Sequence, residues 1–65
     1  MYDSIKEKLE ESGELMIRTD SGEERELHLH NTEFLEKPVA RIEGGEGTHW
    51  INLDKVERYW IHQEF

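Results

Sequence analysis

Two of the four histidines in this 65-residue chain stand two positions apart, in His28-Leu29-His30. On an extended strand, residues two apart project from the same face and lie within chelating distance of one another. Neutral imidazole suits zinc, nickel or copper, with His49, His62 or a glutamate available as a third ligand. The competing reading needs no metal: outward histidines on a solvated strand are ordinary, and His-x-His is a short motif. No metal or cofactor is therefore assigned, and His28 and His30 stand as the candidates. The chain has no cysteine, which removes disulfides, thiolate zinc sites and cysteine nucleophiles. It has no GxSxG and no HExxH, and Ser4, Ser12 and Ser21 have no neighbouring histidine. The run Gly44-Gly45-Glu46-Gly47-Thr48-His49 departs from P-loop spacing and reads as a turn. The expectation is a protein that is not an enzyme.

The second chemical signal is aromatic. Gly47–His62 holds both tryptophans and one of the two tyrosines. On a strand over 58–61, Tyr59 and Ile61 share one face, while Trp60, Val56 and His62 lie towards the other. A strand apolar on both faces is covered on both. One face meets the core, and the other meets the N-terminal helix, the tail or another subunit. Trp and Tyr suit interfaces because each joins a large apolar area to a polar handle. Trp50, Arg58, Tyr59, Trp60 and His62 are thus the predicted interaction surface. A nucleic-acid reading uses the same residues: bases would stack on the aromatics, and Arg18, Arg41, Lys55 and Arg58 would form a local basic strip.

These residues need elements to position them. Residues 2–12 predict a helix with Asp3 or Ser4 as N-cap, Ile5 and Leu9 on one face and Gly13 as terminator. Strands follow at 15–19, with Leu15, Ile17 and Thr19 on one face, and at 24–30, with Leu27 and Leu29 inward. Asp20-Ser21-Gly22-Glu23 turns between them. Asn31–Pro38 reads as a connector anchored by Phe34 and Leu35. A third strand at 39–43 carries Ala40 and Ile42 on one face. A fourth lies at 48–51, one helical or 3₁₀ turn at 52–56 is capped by Asn52 or Asp54, and the fifth strand follows. Gln63-Glu64-Phe65 is a tail.

A helix ahead of five short strands, with a single helical turn between the last two, resembles the SH3-like small barrels, including the Sm-like subgroup. Ile5–Leu9, Leu15–Thr19, Asp20–Gly22 and Trp50–Ile61 carry that resemblance, as a pattern of elements. It implies a mainly β domain over 1–65, with a helix at 2–12 and a five-stranded barrel at 14–62. The alternative fold is an open α+β meander with the helix on one face. Sm-like proteins bind nucleic acid, so the resemblance also implies a nucleic-acid-binding regulatory accessory as an alternative function.

Length and charge narrow the partners. A chain this short buries only about 60% of its unfolded surface, so a partner subunit is a common supplement to its core. The net charge is −8, from 16 acidic and 8 basic residues. Nucleic-acid affinity depends on cations displacing counterions from phosphates, so this balance disfavours nucleic acid without excluding it, and disfavours anionic membranes. The charge serves solubility; adaptation to high salt and mimicry of nucleic acid are the other readings. No apolar run approaches the roughly 18 residues of a membrane span, and the first residues lack a signal peptide's apolar stretch. The expected location is the cytoplasm. The leading expectation is a non-enzymatic protein-interaction or oligomerisation module that forms homo-oligomers; a histidine metal-binding protein is a further alternative.

Overall fold

Leu15, Ile17 and Thr19 alternate with Glu14, Met16 and Arg18 along β1 (Glu14–Thr19), and the first three are buried. That strict alternation makes β1 the centre of a sheet with one face inward. The structure, a computed structural model, describes residues 1–44 and 46–61. Around β1 are α1 (Tyr2–Ser12), β2 (Glu24–His28), β3 (Thr32–Phe34), β4 (Val39–Gly44), β5 (Gly47–Asn52), a 3₁₀ turn (Leu53–Lys55) and β6 (Val56–Trp60). The strands form two antiparallel three-stranded sheets, ordered β2-β1-β6 and β3-β4-β5. The protein is thus mainly β with an N-terminal helix. The described strands do not close into a barrel, and there are six of them rather than the five expected.

The core lies where the inner faces of both sheets meet the helix. Tyr2, Ile5 and Leu9 of α1 join Leu15, Ile17, Leu27, Ala40, Ile42, Leu53 and Val56, with Phe34, Ile51 and Tyr59 packed against them. Full burial of Ile5 and Leu9 is worth about 1.5–3 kcal/mol each relative to exposure. Gly13 ends the helix at φ 85°, in the left-handed region that only glycine enters without strain, and its N–H donates to the Leu9 carbonyl at 2.8 Å.

Neither Asp3 nor Ser4 caps the helix. Met1 holds the N-cap position without a side-chain bond. Asp3 lies within the first turn, where its charge suits the helix dipole, and reaches Lys37 Nζ at 2.8 Å. Beside this pair, the Tyr2 hydroxyl donates to the Leu35 carbonyl at 2.6 Å. The Tyr2 ring meets Phe34 edge-on, with centroids 5.5 Å apart. These contacts fasten the start of α1 to the segment around β3.

Further expectations are corrected. The second strand ends at His28, because Asn31 folds back: its Oδ1 accepts the His28 N–H at 2.8 Å and its N–H donates to the His28 carbonyl at 3.1 Å. That turn puts Leu29 outside at 53% exposure and lets Thr32–Phe34, read as connector, pair with β4 as β3. Val56, expected on the Trp60 face, is buried in the core. Arg18 lies opposite Arg58, but Thr19 lies opposite Val56, so Glu57 is an extra residue in a bulge that reverses the alternation. Ile61, expected inward, is 44% exposed beyond the end of β6.

Candidate functional site

The outer face of the first sheet follows from its register. Glu14 lies opposite His28, Met16 opposite Glu26 and Arg18 opposite Glu24. On the other side of β1, Met16 lies opposite Trp60 and Arg18 opposite Arg58. The Arg58 guanidinium sits over the Trp60 ring, 4.5 Å from its centroid, as a cation–π pair. Arg18 is held by Glu24, at 3.0 and 2.6 Å from its Nε and Nη2, and Glu24 raises its pKa above the ordinary arginine value.

The outer face of the second sheet carries Glu33, Arg41 and Trp50 in one cross-strand row, with Arg41 hydrogen-bonded to Glu33. Trp50 is 62% exposed, at the edge of that sheet. An open, polar hollow of about 150 Å³ lies over β3, lined by His30, Asn31, Thr32, Glu33, Arg41 and Glu43. This is below the range of about 300–1,000 Å³ usual for small-molecule pockets.

Of the five residues expected to form one interaction surface, Arg58 and Trp60 are brought together. Trp50 lies on the outer face of the other sheet. Tyr59, opposite Ile17, turns inward and packs against the core. His62 and the tail lie outside the described residues.

Of the further ligands the sequence offered, the structure brings glutamates to the histidine motif and not His49. His28 and His30 are close, their rings stacked with centroids 5.2 Å apart. His28 Nε2 lies 2.5 Å from Glu26 Oε1, and its Nδ1 lies 3.9 Å from Glu14 Oε2. One ligand atom from each of Glu14, Glu26 and His28 falls within 4.8 Å of the others. His49, considered as a third ligand, points into the protein instead: it sits opposite the buried Ile42 and meets Arg25 of β2. Glu14 and Glu26 were not singled out from the sequence. Two signals could have found them. Glu26 precedes His28 by two on one strand, and counting the hairpin back from its Asp20–Glu23 turn sets Glu14 opposite His28.

No helix among the described residues is long and apolar enough to cross a membrane. No protein-family model, curated protein or solved structure matches this chain.

Proposed function

We propose that this protein is a non-enzymatic interaction module that pairs with a second copy of itself through β5. The observation that carries this is the contrast among the four sheet edges. β2 presents Glu24 and Glu26; β6 presents Glu57 and Arg58; β3 is three residues long. Charge and shortness are the usual protections against edge pairing. β5 is six residues, Gly-Thr-His-Trp-Ile-Asn, with no acidic or basic side chain other than histidine, and carries the exposed Trp50.

A second copy fits this edge better than an unrelated chain for a reason of charge. At −8 per copy, most faces of two molecules repel. Antiparallel self-pairing of β5 sets uncharged residues against one another about a two-fold axis and extends two three-stranded sheets into one of six. Trp60 and Arg58, on the outer face of the other sheet, offer a second contact surface.

The two sheets are read as the halves of a small SH3-like barrel. Support comes from the way the chain changes sheet at the His28–Asn31 turn and again at the 3₁₀ turn. The cytoplasm is the proposed location, on the absence of cysteine. Sedimentation velocity at micromolar concentration tests the assembly: a dimer is expected, and a stable monomer across that range overturns it.

A further inference from the structure

We infer that the end of the first sheet nearest His28 is a site for one divalent transition-metal ion, with zinc the best match, held by His28, Glu14 and Glu26. The site is on β1 and β2, whereas the self-association edge is on β5 in the other sheet, so the two proposals stand or fall separately.

The register supplies the geometry. Glu14 and His28 are directly opposite on neighbouring strands, and Glu26 is two residues before His28, so all three side chains leave the same outer face. Their ligand atoms already lie within 4.8 Å of one another. Around a tetrahedral zinc, with bonds of about 2.0–2.2 Å to nitrogen and oxygen, neighbouring ligand atoms stand about 3.3 Å apart. Glu26 stands at Nε2 of His28 and Glu14 at Nδ1, so holding one ion takes a swing of one of these half-exposed carboxylates to the nitrogen that the other faces.

The electrostatics point the same way. Asp3, Glu11, Glu23, Glu24, Glu33 and Glu57 each pair with a lysine or arginine. Glu14 and Glu26, like several other carboxylates, have no such partner among the described residues; what sets them apart is that both converge on one imidazole. Two carboxylates brought to one ring repel each other, and a divalent cation between them turns that repulsion into attraction. One nitrogen and two oxygen donors with no thiolate select zinc or a neighbouring metal over copper(I), and the imidazole selects against calcium and magnesium. The stacked His30 ring braces His28 from the side and is not one of the three ligands.

Calorimetric titration of the full chain with zinc chloride tests the site. One ion per chain is expected, with binding weakened at least tenfold in His28→Ala and in the double variant Glu14→Gln/Glu26→Gln; even outer-shell changes at zinc sites cost that much. His30→Ala is expected to bind within about threefold of the parent chain. Thermal melts without zinc confirm that each variant folds, and melts with zinc are expected to shift upward only where the three ligands are intact. Absence of saturable binding overturns the site. So does equal affinity in the Glu14/Glu26 double variant, which would place the ion elsewhere. Loss in His30→Ala together with retention in the double variant would also overturn it, in favour of a two-histidine chelate.

Discussion

Arg25 and His49 meet between the two sheets, with Nη2 of the guanidinium 3.5 Å from Nδ1 of the imidazole. A guanidinium only donates, so this contact makes Nδ1 the acceptor and leaves the proton of the neutral ring on Nε2. That Nε2 is buried, with no hydrogen-bond partner among the described residues. An unsatisfied buried donor costs about 1–3 kcal/mol. Arg25 keeps a second partner in Glu23 at 3.3 Å. Replacing His49 by Phe therefore removes a penalty without stranding the arginine. Urea unfolding is expected to show a variant as stable as the parent or about 1 kcal/mol more so. A loss greater than that would mean that His49 makes a net favourable contribution.

Leu53 is fully buried although it belongs to the short 3₁₀ turn between β5 and β6. The turn is set by Asn52, whose Oδ1 accepts the Asp54 N–H at 2.9 Å. Leu53→Ala is expected to cost about 2–5 kcal/mol, most of the stability of a domain this small. A chemical-denaturation midpoint close to that of the parent would show that the site refills.

The Asp3–Lys37 pair gives stability a defined pH dependence. The hydrogen bond from Lys37 holds the Asp3 carboxyl below its ordinary value, and the same bond raises Lys37 above its own. A depressed carboxyl contributes stability above the unfolded-state pKa, near 3.9, and loses it as pH falls through the lower folded-state value. A raised amine contributes below about pH 10.4 and loses its share as pH rises further. Both groups are exposed, so the effect is small and is screened by salt. Asp3→Asn is expected to flatten the part of the acid limb below about pH 4, seen as a smaller drop in melting temperature between pH 5 and pH 3. An unchanged drop would assign the acid limb to other carboxylates.

Trp50→Lys places a charge in the middle of the β5 edge. Two copies would then carry like charges into the shared strand pair, which destabilises antiparallel pairing. The expected result is a monomer by sedimentation, with an unchanged far-ultraviolet circular dichroism spectrum. A variant that still dimerises would move the interface away from β5, with the Arg58–Trp60 face the next place to look.

The sequence was most readable where burial alternates without interruption. Leu15, Ile17 and Thr19, then Ala40 and Ile42, show period-2 spacing, and all five are buried in the structure. The 3₁₀ turn was visible through its capping residue Asn52. Local patterning misled where a distant or irregular contact decided the outcome. Asp3 looks like a helix cap but pairs with Lys37, 34 residues away. Leu29 continues an alternation that the Asn31 turn cuts short. Val56 and Trp60 are separated by a bulge, so counting by twos between them fails. The carboxylates around His28 were hidden for a related reason. Glu14 and His28 become neighbours only through strand register, and Glu14 stood among many unremarkable glutamates.

β1 is the middle strand of its sheet, yet it is made first, while its partner β6 is separated from it by all the other strands. Every ladder of the second sheet, by contrast, closes within residues 32–52. During synthesis the second sheet can therefore assemble as soon as its own residues emerge, while β1 waits with one edge open. Among the described strand ladders, pairing with β6 closes the longest loop, the slowest kind of contact to form. Until then the unpaired side of β1 is a template for any extended chain nearby, so the speed with which Val56–Trp60 arrives sets how long the nascent protein is exposed to mispairing.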